Sequence, residues 1–357
     1  MPEYLHPGVY VEETSFRAKS IEGVPTSTAA FLGESARGPV RPVLVRSVNE
    51  YQRWFGGVRG ADQFLPDAVR GFFSNGGEWL YVCRITSTSA TCAHVDVGGG
   101  FTLRAAGPGA WGPRVFGLLE DSSSRAGHGV PASAGFRLRL AYFSAEPLGD
   151  PLDWFNGIAG APEPEYFEDF DDLVLDATSP DGWSKRLETS ALVTLQRSAP
   201  DPIDGLPDRG LKRLSGGSDG ASSVTPADFA GVAAAPGDEA QGLAALALAP
   251  YRDVSLVYAP AVPFDVAQLV VRHCEAQRFR FAIVDAGPSP TLPSDFDPRV
   301  AVTDSKFAAF YYPWIVVSDP SGTQPRKAVP PGGGMSPACM PAWIASGGCT
   351  KRLQMKR

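Results

Sequence analysis

The residues best suited to chemistry in this sequence are its four histidines and five cysteines. They are His6, His94, His128, His273, Cys83, Cys92, Cys274, Cys339 and Cys349. Cys83, Cys92 and His94 are ligand types that Zn²⁺ prefers, but Cys83 lies in a continuous apolar stretch and no second cysteine pair follows. In His273-Cys274-Glu275 a thiol adjoins a possible base, but the surrounding helical spacing favours a half-buried histidine on an amphipathic helix. The sequence therefore predicts no metal site and no catalytic residue.

Two glycine-rich stretches and one acidic run are candidate binding sites. Residues 214–220 (LSGGSDG) lack the Lys-Ser/Thr pair and the preceding strand of a phosphate loop, so we predict a turn-forming loop. Residues 98–100 (GGG) are predicted to be a hinge into a strand. In the acidic run 163–172 the charges alternate with apolar residues, which is typical of a solvated strand edge. No cofactor and no enzymatic activity are predicted from these segments.

Composition narrows the class of protein. The 357 residues are 43% apolar and 20% charged, and the net charge is −7. A protein that binds nucleic acid usually carries a basic surface, so this acidic balance argues against nucleic acid as a partner. No apolar stretch reaches the ~20 residues of a membrane-spanning helix, and the acidic N-terminus differs from a signal peptide. Five scattered cysteines in a chain of this size favour a reducing compartment over a disulfide framework. We therefore expect a soluble protein with no membrane insertion.

The order of the predicted elements indicates a mixed α/β fold. A buried strand at 27–33, a helix capped by Ser47, a helix at 64–74 and an apolar strand at 79–85 open an α/β layer. Short alternating strands among Ser/Thr/Gly-rich connectors suggest an inserted, largely β domain. Later segments return to helix and strand alternation, with Asp265 as the predicted cap of a helix and a strand at 279–285. The second half is thus expected to complete the sheet that the first half opens.

Several stretches taken together resemble the contractile tail sheath proteins of bacteriophages and related injection systems. They are residues 7–13 (PGVYVEE), 23–33 (GVPTSTAAFLG), 37–39 (RGP), 106–112 (AGPGAWG), 214–220 (LSGGSDG) and 305–314 (SKFAAFYYPW) running on to 329–331 (VPP). Each stretch is short, but the six occur in one order along residues 7–331. The resemblance implies a subtilisin-like α/β core without catalysis, an inserted mainly β domain and an extended N-terminal arm.

The implied division of the chain follows from that resemblance. It assigns an exchanged arm to 1–25, the core to 26–86 and 177–331, the inserted β-rich domain to 87–176, and an aberrant tail to 332–357. In such sheaths the arm adds a strand to a neighbouring subunit, which here would be Val9, Tyr10, Val11, Glu12 and Glu13. The implied partners are other sheath subunits, an inner tube protein, the baseplate and the tail terminator. The implied locations are the bacterial cytoplasm during assembly and then a phage tail or extracellular particle.

The resemblance stops after Pro331. Residues 335–357 contain four basic and no acidic residues and two of the five cysteines. Sheaths are expected to continue Ser-Gly-His-Val-Ala-Gly, and one permitted back-translation of residues 334–357, read two bases later, gives HVAGVYARVDRERGVYKAPANEA. A frameshift at the glycine run 332–334 is therefore the expectation, although a genuine lineage-specific tail stays open. A chain altered in this way should donate its arm but not accept one, and should not polymerise alone.

The sequence is also compatible with two other functions. A hydrolase on the subtilisin-like core would need a nucleophile within hydrogen-bond reach of His273 or His94. A capping fragment that limits sheath growth would donate an arm without accepting one.

Overall fold

The computed structural model describes residues 28–334, apart from 59, 61–62, 124–134, 177–178, 198–204, 233–238, 288–291, 293 and 319–324. The predicted donor strand at Val9–Glu13 and the rest of the arm lie outside these residues. So do the tail from residue 335, His6, His128, Cys339 and Cys349.

Sixteen strands and eight α-helices are found in the described part of the chain. The strands are β1 Thr28–Gly33, β2 Val43–Val45, β3 Trp79–Arg84, β4 Thr91–Asp96, β5 Phe101–Ala105, β6 Val115–Asp121, β7 Phe136–Tyr142, β8 Tyr166–Leu173, β9 Val193–Arg197, β10 Gly210–Arg213, β11 Ser215–Ser218, β12 Leu256–Tyr258, β13 Phe281–Asp285, β14 Ala308–Tyr311, β15 Ile315–Val317 and β16 Lys327–Val329. The helices are α1 Val48–Phe55, α2 Leu65–Ser74, α3 Pro151–Phe155, α4 Trp183–Leu187, α5 Pro226–Ala230, α6 Gly242–Leu246, α7 Phe264–Gln277 and α8 Pro298–Ala301.

A six-stranded sheet in the order β14-β13-β12-β1-β3-β2 forms the centre of the α/β part. All of its pairs are parallel except β2 with β3. Alternate residues of the central strand β1 point to opposite faces, so that Ala30 and Leu32 pack with α7 while Ala29 and Phe31 pack with α1 and α2. Both faces of the sheet are thereby covered, as parallel sheets require.

Two four-stranded antiparallel sheets form the β-rich part, in the orders β10-β6-β7-β8 and β11-β4-β5-β9. Their facing side chains share one apolar core that includes Phe101, Trp111, Leu138 and Leu195. The predicted mixed α/β class is thus confirmed, with one mostly parallel sheet and separate antiparallel sheets. The division at residue 176 stays a prediction, but strand pairing groups residues 91–218 into these two sheets.

Of the two predicted helix caps, one is confirmed and one is wrong. The Ser47 hydroxyl accepts a hydrogen bond from the backbone N–H of Glu50 and caps α1, as predicted. The prediction for Asp265 is wrong, because Pro263 is the N-cap of α7 and Asp265 lies within the first turn. The nitrogen of proline carries no hydrogen and therefore needs no acceptor at the start of the helix. The Asp265 carboxylate lies in the first turn, next to the positive end of the helix dipole.

No helix in the described part of the chain is both long and apolar enough to cross a bilayer.

Candidate assembly site

We call the side of the main sheet at which its parallel strands end the carboxyl edge. Open α/β proteins usually bind a ligand there, at the point where strand order reverses. Here that point lies between β1 and β12. The Tyr258 hydroxyl, at the end of β12, donates to Asp285 Oδ2 at 2.8 Å, and both residues are buried. The Asp285 carboxylate also accepts from the backbone N–H groups of Ala261 and Gly287. These groups satisfy one another and leave no free acid or base directed at solvent.

The segment 327–334, called here the strap, closes this edge. A Cβ on Gly332 would lie 2.5 Å from the Tyr258 ring, so only glycine allows the chain to approach this closely. At the start of the strap, Lys327 Nζ lies 2.7 Å from Asp67 Oδ2 in the first turn of α2, and both side chains are largely buried. The protein's own chain therefore occupies the crevice in which a substrate would bind.

His273 lies on α7 and is half-buried, as predicted. Its Nε2 is 2.6 Å from Arg280 Nη1, and the same guanidinium donates to the Tyr251 carbonyl at 2.7 Å. Burial and the adjacent guanidinium lower the pKa of His273 to about 4, and burial raises the pKa of the Cys274 thiol to about 12. A neutral imidazole beside a protonated thiol does not form a nucleophile pair, because the thiolate is the reactive species.

This arrangement predicts a pH dependence of stability. The unfolded chain binds a proton at His273 near pH 6.5, whereas the folded chain resists protonation until about pH 4. Since the unfolded state binds more protons in this window, the free energy of unfolding should fall as the pH drops from 6.5 to 4, by at most about 2 kcal/mol from this group. In urea titrations at several pH values, His273→Gln should lack this part of the decline. Replacement of the exposed His94 is the control, and an equal effect from both variants would contradict the prediction.

The three candidate zinc ligands lie in two different sheets. Cys83 is fully buried in β3 of the main sheet, and burial raises the pKa of its thiol far above the usual range. Cys92 and His94 lie on β4 of an antiparallel sheet, on the face opposite the buried Ala93. Within the described ranges, no three or more His, Cys, Asp or Glu side chains are grouped so that they could hold a metal ion.

Three of the stretches that carry the family resemblance meet around Arg84. The buried Arg84 Nη1, at the end of β3, donates to the Gly38 carbonyl at 2.9 Å and to the Pro108 carbonyl at 2.7 Å. A Cβ on Gly107 would lie 2.1 Å from the Gly38 oxygen. Burial lowers the pKa of Arg84 to about 10, still well above neutrality, so the guanidinium stays charged. This guanidinium joins the α/β part to the β-rich part.

The third of these stretches, residues 214–220, packs against the stretch 106–112. Asp219 Oδ1 accepts from the Ala110 backbone N–H at 2.9 Å, and a Cβ on Gly217 would lie 2.9 Å from the Gly109 oxygen. The prediction of a loop here is wrong, because Ser215–Ser218 form β11, which pairs with β4. Gly216 and Gly217 have φ values of +71° and +86°, and glycine adopts this conformation without strain. The glycines therefore serve close backbone packing.

Arg37 is the principal residue of this region that sequence reasoning missed. It is 1% exposed, and its guanidinium donates to the carbonyls of Gln52, Arg53 and Trp54 at the end of α1. The same group lies over the rings of Tyr142 and Tyr166 in the β-rich part, at 5.3 and 4.9 Å. Arg37 thus caps a helix of one part while packing against aromatic rings of the other. The Arg-Gly-Pro motif was the available signal.

The acidic run is an edge strand, as predicted, but it is not wholly solvated. β8 pairs only with β7 among the described strands. Glu168, near its middle, is 7% exposed and accepts from the Ala191 backbone N–H at 2.9 Å and from the Ser190 hydroxyl. This carboxylate links β8 to the turn before β9 across the two sheets, so it has a structural role.

The chain thus folds as a mixed α/β protein whose β-rich part is joined to the α/β part around Arg84. Its own strap closes the carboxyl edge of the main sheet. Among solved structures, the chain is similar to a sheath tail protein from Desulfitobacterium hafniense, at 15% identity and a TM-score of 0.41, over 98% of this chain and 64% of that one. It is also similar to a sheath tail protein from Listeria innocua, at 13% identity and a TM-score of 0.43, over 92% of this chain and 57% of that one. The chain therefore spans about three fifths of the length of either protein. No known family profile and no curated protein sequence matches it.

Proposed function

We propose that this chain is a structural subunit of a contractile tail sheath, which polymerises around an inner tube and contracts to drive that tube through a target envelope. The observation that carries the proposal is the ordered set of six motif stretches, three of which converge on the buried Arg84. A subunit that transmits force needs its parts held in fixed relation, and this junction provides such a connection. The core is proposed to have the subtilisin-like topology without its catalysis.

The proposed mechanism of assembly is strand donation. Residues Val9–Glu13 would add a strand to the sheet of a neighbouring subunit, and backbone hydrogen bonds would hold the lattice together while subunits rotate. The proposed partners are other sheath subunits, the inner tube protein, the baseplate and the tail terminator. Assembly is proposed to occur in the bacterial cytoplasm, with the finished particle being a phage tail or an extracellular injection machine.

The tail after residue 334 leads to the second part of the proposal. The proposed frameshift changes the sequence with which the family continues after Pro331. A chain altered in this way is proposed not to form tubes alone and to be prone to aggregation.

Co-expression with the frame-restored chain tests the proposal. A tagged copy of this chain should be retained on tubes of the restored chain through its arm, whereas Tyr10→Pro should abolish retention because proline removes a ladder hydrogen bond. Shortened tubes would favour the capping function, and unchanged tubes would favour an inert product. Equal retention of the Tyr10→Pro chain would contradict strand donation.

A further inference from the structure

The outer face of the β10-β6-β7-β8 sheet, turned away from the core shared with the other antiparallel sheet, carries apolar side chains of its own. Strand pairing places Phe116, Ala141 and Phe167 side by side in one row across this face. Phe155 of α3 packs in one buried cluster with Phe116 and Ala141. Phe167, at the β8 end of the row, is 59% exposed. The cover that α3 gives to the sheet is therefore incomplete on the β8 side.

The exposed Phe167 ring lies among other apolar side chains of α3 and the turn after it. The ring centroid of Trp154 lies 5.5 Å from that of Phe167. Ile158 lies in the turn that follows α3, where its backbone N–H donates to the Asp153 carbonyl at 2.9 Å. The Ile158 side chain is 52% exposed. Apolar groups from β8 and from the α3 region thus reach the same side of the sheet.

The loop before α3 adds Leu148, whose side chain is 97% exposed. A Cβ on the adjacent Gly149 would lie 3.7 Å from Pro162, so this loop runs beside the loop that follows α3. Exposed apolar side chains that lie together mark an interaction site, whereas scattered ones do not. The name α3 patch is used here for Leu148, Trp154, Ile158 and Phe167.

The segment that builds the α3 patch carries only acidic charges. Between Arg139 and Lys185 the sequence has eleven Asp or Glu residues and no Lys or Arg. Asp150, Glu163 and Glu165, in the two loops that flank α3, are exposed. The apolar surface therefore has a negatively charged rim.

The arginines that lie near this face already have partners. Arg213 pairs with Glu146 at 2.8 Å, and Arg137 Nε donates to Asp169 at 2.9 Å. Arg139 lies over the Phe155 ring, 5.3 Å from its centroid. These cations neutralise carboxylates of the strands and of the loop start, so the negative charge of the rim remains.

We propose that the α3 patch binds a basic amphipathic helix of a partner protein. Such a helix places its apolar stripe on the patch and its Lys or Arg side chains beside Asp150, Glu163 and Glu165. The same rim disfavours the other large surfaces that bind proteins, since an anionic membrane and a nucleic acid would both be repelled. The inference concerns a surface that the proposed sheath function does not use and does not depend on that function.

Fluorescence anisotropy tests the apolar part of this contact. The probe is a fluorescein-labelled peptide with leucine and lysine at helical spacing, titrated with the full chain. Ile158→Lys should weaken binding about tenfold, because it places a positive charge where the apolar stripe of the peptide lies. The matched control is Val300→Lys, which adds the same charge at an 82% exposed apolar residue of α8 and should leave binding unchanged.

A second pair of variants tests the acidic rim. Glu163→Lys should weaken binding of the same peptide about fivefold, because it reverses one charge that faces the helix. Glu78→Lys reverses an exposed charge beside β3, with the same change in net charge, and should have no effect. A peptide with glutamate in place of lysine should not bind. Urea unfolding curves confirm that each variant is folded.

The possible results decide between this occupant and the alternative of a second copy. Equal binding by the Ile158→Lys and Val300→Lys chains contradicts the proposal, and so does a native chain that does not bind the peptide. If sedimentation velocity shows self-association that Ile158→Lys abolishes, a second copy covers the patch and the proposed partner is wrong. None of these results depends on tube formation, so the sheath function is tested separately.

Discussion

Arg37→Ala should destabilise the protein by about 4 kcal/mol, a large share of the 5–15 kcal/mol typical of folded domains. The substitution leaves the carbonyls of Gln52, Arg53 and Trp54 without their donor. It also removes the cation between Tyr142 and Tyr166 and opens a cavity at a residue that is 1% exposed. Urea unfolding followed by tryptophan fluorescence measures the change.

Two variants show whether the geometry of the guanidinium is responsible. Arg37→Lys keeps the charge but cannot reach three carbonyls with a planar fork, so it should recover less than half of the lost stability. Arg46→Ala removes an exposed arginine that lies 4.4 Å from the Trp79 ring centroid, and it should cost no more than about 1 kcal/mol. Similar losses for Arg37→Ala and Arg46→Ala would contradict the role given to Arg37.

Gly107→Ala should be comparably damaging, at about 3 kcal/mol or more, although it adds a single methyl group. That methyl carbon would lie 2.1 Å from the Gly38 oxygen and 3.1 Å from Pro39 Cα. Both atoms belong to backbone, which cannot move aside as the end of a flexible side chain can. A backbone shift that removed this clash would separate Gly38 from Pro108 and weaken the two hydrogen bonds that Arg84 donates. Thermal and urea unfolding of the purified variant measure the loss.

Gly57→Ala is the matched control for this clash. No heavy atom lies within 4 Å of a Cβ built on Gly57, and its backbone is not in the left-handed region. The substitution should therefore be neutral or slightly stabilising, because alanine restricts the unfolded chain. If Gly107→Ala proves as mild as Gly57→Ala, the motif glycines are not required for the close contact between the two parts.

The sequence predicted those elements whose signals are local. The cap at Ser47, the apolar spacing of α2 and the continuous apolar run of β3 each depend on neighbouring residues. Predictions from such local signals are correct because the apolar faces that the signals define are also the faces that pack in the main sheet. The predicted half-burial of His273 is correct for the same reason.

What the sequence could not predict depends on contacts between distant residues. β11 has two glycines, which lower strand propensity, and it forms a strand because β4 pairs with it and the bend requires positive φ. Arg37 and Glu168 are charged residues that an isolated segment would place in solvent. Their burial follows from partners that only the fold supplies, namely three helix-end carbonyls for Arg37 and the Ser190 turn for Glu168.

Negative-stain electron microscopy tests the central proposal most directly. The coding DNA around residues 332–335 is resequenced, and the chain is expressed both as it stands and with the alternative reading frame restored. We expect striated tubes from the restored chain and none from this one. If the DNA encodes no family-like continuation in the alternative frame, the predicted assembly defect loses its basis. If a restored chain carrying that continuation folds but forms no tubes, the proposed sheath function is contradicted.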